Sequence, residues 1–271
     1  MGGPPGRHVL PSRAGYFGRR RDVARRLVVI SPHLDDAVLS AWSALRHHSD
    51  VAVVTCFAGE PPAGTPASVW DRRGGARCAV EQVRLRRAED QAVMNSLGAT
   101  AVHLEHLDAP YRDPGDDMVV ERLTDSLRPH LGRDALVLAP LALGGHPDHV
   151  AAREAALAAA PRGRLLLYAD LPYASRWGWP AWVRRGRGRA GVQLRPLRGR
   201  STSKQPALVW ARTLRQVRVR GAAVHRLDDR ELMLKRHALA AYTTEAPLLG
   251  LDGLVGGEDA LRYEVRWAVR A

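Results

Sequence analysis

Two patterns alternate along the chain, and that alternation limits what it can fold into. Short apolar runs recur at 27–31 (LVVIS), 51–57 (VAVVTCF), 101–105 (AVHLE), 135–139 (ALVLA) and 165–169 (LLLYA). A run such as LVVIS, rich in β-branched residues and without polar interruption, is the pattern of a strand buried on both faces of a parallel sheet. Between the runs lie amphipathic stretches at 37–47, 84–97, near 118–129 and near 148–159. In the first of these Val38, Trp42 and Leu45 fall near one face, and Gly98 closes the second. A βαβα order of this kind predicts an α/β fold, a Rossmann-like open and mostly parallel sheet with helices on both faces. Such sheets bind ligands beyond the carboxyl ends of their strands.

Composition fits one domain of this class. The 271 residues are 45% hydrophobic and 25% charged, enough apolar material for a sizeable core. The formal net charge of +13 suggests nucleic acid until it is located. Residues 175–220 hold thirteen basic residues and no Asp or Glu, and residues 1–26 hold seven arginines against Asp22. The remainder is acidic. Lys204 and Lys235 are the only lysines, so the arginine excess reflects a GC-rich gene at least as strongly as phosphate binding, and nucleic acid is not the expected partner. The expected organisation is a basic N-terminal tail at 1–26 and a single α/β catalytic domain at 27–271, with a basic insertion around 175–220.

Cys56 and Cys78 form no C-x-x-C pair and cannot make a disulfide scaffold, which points to a reducing cytoplasm. No apolar run reaches the roughly 18 residues of a membrane span, and the charged start lacks the apolar core of a signal peptide. Two stretches break the rhythm. Residues 58–80, long and rich in Gly and Pro after a strand end, are either a lid over the site or a loose insertion. Residues 181–204 have little periodicity and read as an exposed insertion.

Two clusters carry chemistry. His33-Leu34-Asp35-Asp36 follows the first strand, where His33 and Asp36 can turn back to share one ion while Asp35 reaches the same crevice. The plain alternative is a helix-capping Asp36 beside an ordinary turn histidine. Gly145-His146-Pro147-Asp148-His149 follows the fourth central strand and opens a helix, with Pro147 in its first turn. The spacing of three lets His146 and His149 address one site. Its alternative is a helix start with Asp148 at the positive end of the dipole and two surface histidines. Both clusters lie at strand-to-helix junctions on the ligand-binding side of one sheet, and that conjunction favours a site.

With these motifs in their order, the chain resembles the PIG-L/LmbE family of zinc-dependent de-N-acetylases over about 27–245. The resemblance implies an LmbE-like fold, His33, Asp36 and His149 as metal ligands, Asp35 as general base, and His146 facing the oxyanion or leaving amine. Arg86-Arg87-Ala88-Glu89 ahead of Leu97-Gly98 looks like the family's Arg-x-x-Glu helix, Leu107-Asp108 like its substrate-contacting loop, and Lys235 through Tyr242 like its late helix. SPHLDDAVLS together with Asp170-Leu171-Pro172-Tyr173 is similar to the deacetylases of glycopeptide-antibiotic pseudoaglycones. The commoner family motif has Pro and Glu where this chain has Leu34 and Ala37. Some relatives also use a Tyr on the oxyanion at the position of Gly144.

Two imidazoles and one carboxylate leave a coordination position open on Zn²⁺, as catalytic sites require, and the same donors suit Fe²⁺. Zinc ionises bound water near neutral pH, Asp35 can take the proton as an amide carbonyl is attacked, and a protonated His146 held by Asp148 can serve the oxyanion and the departing amine. Arg86 and Asp108 are candidate ligands for sugar hydroxyls, with a solvated helix arginine as the alternative for Arg86. Trp70 either stacks on a sugar or aglycone or packs, while packing is the expected role of Trp177, Trp179 and Trp182 beside Tyr173. The expected activity is removal of an N-acyl group, chiefly acetyl, from an amino sugar or its glycoconjugate. The alternatives are an amidase acting on thiol conjugates and a basic-surface binding module with an accessory metal site.

Overall fold

The computed structural model describes residues 26–175, 179–184, 204–250 and 260–270. The basic tail before Arg26, Trp177 and the insertion at 185–203 lie outside the described residues. The elements are β1 (Leu27–Ser31), α1 (Asp36–His47), β2 (Val51–Thr55), α2 (Val69–Arg73), α3 (Ala79–Leu97), β3 (Thr100–His103), α4 (Val119–Leu127), β4 (Leu136–Pro140), α5 (Pro147–Ala159) and β5 (Leu165–Tyr168). They continue with α6 (Ala181–Arg184), α7 (Lys204–Gln216), β6 (Val219–Arg226), α8 (Asp229–Ala240), α9 (Ala246–Leu249) and β7 (Tyr263–Val269).

One seven-stranded sheet has the order β3-β2-β1-β4-β5-β7-β6. The first five strands are parallel, with Leu27 opposite Val51 on one side and Leu136 on the other. β7 runs antiparallel to both β5 and β6. From β1 the chain moves outward through β2 to β3, then returns to β4 and moves the other way to β5. Right-handed crossovers therefore put α1 and α3 on one face of the sheet and α4 and α5 on the other. The contacts of α4 with α5, and of α1 with α8, agree with that layering. The order reverses between β1 and β4, which places a crevice beyond their carboxyl ends.

Every residue of β1 and β2 is buried, as their unbroken apolar runs require. α3 starts earlier than its amphipathic pattern suggests, because Ala79, Val80 and Val83 bury one more turn. The antiparallel pair β6 and β7 carries no clean strand signal. β6 shifts register between Arg220 and Ala222 around Gly221, and β7 includes Glu264, a charged residue only 1% exposed. Trp210 packs edge-on or tilted against Trp179, Trp182 and Trp267, and Trp182 against Trp267, so these rings pack in the core, with Trp182 partly buried at its margin. Among the described residues no helix is long and apolar enough to cross a membrane.

Candidate metal centre

The turn after β1 is folded on its own hydrogen bonds. Ser31 Oγ donates to the carbonyl of His33 at 2.6 Å and accepts the Ala37 N–H at 3.0 Å, while Asp36 Oδ2 accepts the His33 N–H at 2.9 Å. The turn after β4 is sharper. Ala142, Gly144 and Gly145 all have positive φ, at 61°, 84° and 73°, a conformation that is costly for Ala142 and free for the glycines. It delivers His146 to the N-cap of α5 and His149 to its first turn.

These two turns bring the sequence clusters together. Asp36 Oδ2 lies 3.2 Å from His33 Nδ1 and 3.3 Å from His149 Nε2, and one donor atom from each residue falls within 4.8 Å of the others. The far nitrogen of each ring meets another carboxylate. His149 Nδ1 is 2.7 Å from Asp170 Oδ1, and His33 Nε2 is 3.1 Å from Asp148 Oδ2 and 3.5 Å from Asp108 Oδ1. Carboxylates behind imidazoles fix ring orientation and tautomer so that the opposite nitrogen faces a metal. Burial alone would lower the proton affinity of His33, yet Asp108, Asp148 and Asp36 outweigh it and raise the pKa well above the ordinary value. His149 follows the same logic through Asp36 and Asp170. The group attracts positive charge despite its burial and offers two imidazoles and a carboxylate, so these residues fit a divalent metal.

Asp35 is buried beside this group. Burial, then the charges of Asp36 and Glu245, push its carboxyl up to about 8. For His146, burial and then the positive charges of His33 and His149 lower the pKa to about 4. That shift favours the neutral imidazole near pH 7. Its Nδ1 accepts the Asp148 backbone N–H at 3.3 Å, which assigns the ring proton to Nε2. The Asp148 carboxylate bonds elsewhere, to His33, to Arg112 and to the Ala109 N–H. Its hold on His146 runs through the backbone.

His33, Asp35, Asp36, Asp108, His146 and His149 line one side of a cavity of about 540 Å³, with Phe57, Trp70, Arg86, Tyr173, Glu245 and Leu248 around the rest. The 58–80 stretch is thus part of the cavity wall. Arg86 does not stand free in solvent, because it pairs with Asp71 from that wall and Glu245 from the turn before α9. Trp70 donates its indole N–H to Glu245 at 3.2 Å. At Gly144 a Cβ would sit 2.8 Å from Tyr173 Cδ1, so the Tyr173 ring fills the space beside the turn. Burial and then Asp36 push its phenol up to about 12, and its ring centroid lies 5.3 Å from that of His149.

Sequence reasoning gave no role to Asp170, Arg112, Asp71 or Glu245. Asp170 could have been suspected from its place at a strand's carboxyl end. The others have no local signal.

Residues 28–160 match the family model of GlcNAc-PI de-N-acetylases, PIG-L. Over this stretch, just under half of the chain, the sequence is similar to the PIG-L family. The 2'-N-acetylparomamine deacetylase of Streptomyces fradiae is 32% identical over 172 residues, which cover 56% of this chain and 58% of that protein. The A40926 pseudoaglycone deacetylase Dbv21 superposes with a TM-score of 0.63 at 29% identity, covering 92% of this chain and 98% of that one. A zinc-inhibited form of teicoplanin deacetylase Orf2 gives 0.62 at 26% identity, covering 90% and 98%. The structural likeness to these two deacetylases covers about nine-tenths of the chain, well beyond the stretch matched by the family model.

Proposed function

We propose that this protein is a zinc-dependent N-deacetylase that releases acetate from an N-acetylated amino sugar carried on a natural-product scaffold. The observation that carries the reading is the convergence of Asp36, His33 and His149, each imidazole backed by its own carboxylate, beside Asp35 and His146 in one cavity. The activities named for the paromamine and glycopeptide relatives support the substrate class, and the zinc named for one of them supports the metal. Two free cysteines support a cytoplasmic location, and the single catalytic domain with its basic insertion is retained as part of the proposal.

His33, Asp36 and His149 would hold the ion, which when bound supplies a Lewis acid for the amide carbonyl and for the attacking water. A bound ion would offset the charge of Asp36, one cause of the raised Asp35 pKa after burial, and so favour the ionised carboxyl that a base needs. Asp35 takes a proton from water as the oxygen attacks, then gives it to the nitrogen as the C–N bond breaks. His146, neutral with its proton on Nε2, donates a hydrogen bond to the oxyanion, a role that does not require it to start charged. Asp108, which lines the cavity, would accept a sugar hydroxyl. Arg86 acts indirectly by holding Asp71 and Glu245 in the wall.

The test is to incubate zinc-loaded protein with a panel of N-acetylglucosaminyl glycosides, from simple aryl glycosides to glycopeptide pseudoaglycones, and to measure acetate. Release that is lost on chelation and restored by zinc is expected. Absence of release across the panel would overturn the proposal.

A further inference from the structure

We infer that Arg112 is a positioning residue, which clamps the loop between β3 and α4 onto Asp148 and so holds Asp108 in a fixed relation to His33. The inference rests on the proposed deacetylase reading, in which Asp108 meets the sugar and His33 holds the metal. Asp108 lies on a connection whose regular structure is one 3-10 turn at Ala109–Tyr111. A carboxylate carried on such a connection keeps one position only if the backbone around it is tied down. The ties fall on the two peptide units that flank it. Arg112 Nη1 donates to the Leu107 carbonyl at 2.9 Å, and Asp148 Oδ2 accepts the Ala109 N–H at 3.0 Å. Arg112 Nη2 donates to Asp148 Oδ1, so a single ion pair grips both peptides. The same Oδ2 meets His33 Nε2 at 3.1 Å. One carboxylate therefore carries the Asp108 loop and a metal ligand together, and Arg112 fixes its other oxygen.

The guanidinium suits this task. Its two terminal nitrogens reach different acceptors from one rigid plane, which a lysine ammonium does not reproduce. Its central carbon lies 4.8 Å from the centroid of the Phe57 ring, a cation–π contact that holds the plane in place. Phe57 is itself buried, and its N–H bonds the carbonyl of Pro32, the residue before His33, at 3.0 Å. The Arg112 side chain is only 12% exposed, so water competes little for either bond. Arg112 does not line the cavity. It acts through Asp108 and Asp148 rather than on the substrate. The other end of the turn is tied to the cavity wall, where Tyr111 Oη donates to Asp71 and accepts the Ser68 N–H at 2.8 Å.

Removing the clamp frees the Leu107 carbonyl and Asp148 Oδ1 at once. Asp108 then loses its place relative to His33, and sugar binding suffers more than the chemical step. Asp148 in turn orients His33 less firmly, which weakens the metal site while every ligand stays present. A role confined to folding would instead lower the melting temperature and leave both properties of the folded protein as they were.

Arg112→Met and Arg112→Lys in the full chain test this. The readouts are zinc affinity against a chromophoric chelator, the visible spectrum with Co²⁺, and acetate release from an N-acetylglucosaminyl glycoside at saturating zinc. Arg112→Met should weaken zinc by about tenfold and shift the Co²⁺ spectrum. It should raise KM by about tenfold while kcat stays within about threefold of wild type. Arg112→Lys, which keeps the charge and loses the fork, should fall between the two, and it supplies the same readings if Arg112→Met fails to fold. Adding Arg112→Met to Asp108→Ala should raise KM no further, because one residue acts through the other. Additive KM effects, or wild-type zinc affinity and KM in the folded variants, would overturn the inference and leave the proposed function standing. A wild type that binds zinc yet releases no acetate would overturn the proposed function. Zinc affinity and the Co²⁺ spectrum then decide the inference, which fails if neither changes in the variants.

Discussion

Asp170 Oδ1 lies 2.7 Å from His149 Nδ1, joining the residues just past β5 to the first turn of α5. The contact turns Nε2 toward Asp36, and the other carboxylate oxygen accepts the Leu143 N–H at 3.0 Å, tying down the turn that carries His146. Asp170→Ala is expected to lower zinc affinity by about 10–100-fold. Asp170→Asn, which keeps an acceptor, should lose less. Competition with a chromophoric chelator measures both, and equal affinity in all three proteins would mean that Asp170 does not orient the ligand.

Asp35 and Asp36 are neighbours with different tasks, and substitution separates them. Asp36→Asn or His149→Ala should strip the metal. Asp35→Asn should retain about one zinc per chain yet lose on the order of a hundredfold or more in kcat, the usual cost of removing a general base. Elemental analysis alongside turnover decides the matter. A metal-free Asp35→Asn protein would make that residue part of the ligand set.

Gly144 and Tyr173 are complementary, since the ring of one occupies the space that a side chain on the other would need. Gly144→Ala adds a methyl group at a backbone φ of 84° and against Tyr173. The combined strain and overpacking should cost about 1–3 kcal/mol of stability. Displacing Tyr173 should also reduce kcat while zinc content stays unchanged. Unaltered thermal stability would show that the turn relaxes freely.

What could be read in advance follows from how local each signal is. β1 and β4 announce themselves because burial on both faces leaves no charged residue in their apolar runs, and His33 to Asp36 and His146 to His149 each sit within a single turn. The supporting groups are not local. Asp170 reaches His149 only because β5 pairs with β4. Arg86 looks like a surface or substrate-binding residue until Asp71 and Glu245, from separate wall segments, neutralise it. β7 is the clearest case of concealment. Its Glu264 and Arg266 resemble the polar side of an edge strand, and the burial of Glu264 is tolerable because Lys235 from α8, Arg266 and Ser43 all meet it.

That buried pair yields the final prediction. Lys235 Nζ lies 3.5 Å from Glu264 Oε1 and donates to the Leu261 carbonyl at 3.2 Å, and Ser43 Oγ donates to Glu264 Oε2 at 2.6 Å. Burial raises the Glu264 pKa, but Lys235, Arg266 and the Ser43 bonds outweigh it, so the carboxyl titrates below its ordinary value. A carboxylate with a depressed folded pKa contributes stability above its unfolded pKa of about 4.3, and that contribution is lost as pH falls through the folded value. Lys235 shifts downward because burial outweighs the attraction of Glu264, so its unfolded form binds more protons in the alkaline range and stability rises with pH there. Glu264→Gln should cost about 3–5 kcal/mol near neutral pH by leaving a buried ammonium without its partner. Thermal melts from pH 3 to 7 should show a shallower acid limb in the variant than in wild type. Parallel acid limbs would assign the acid sensitivity to other carboxylates and reduce Glu264 to a packing role.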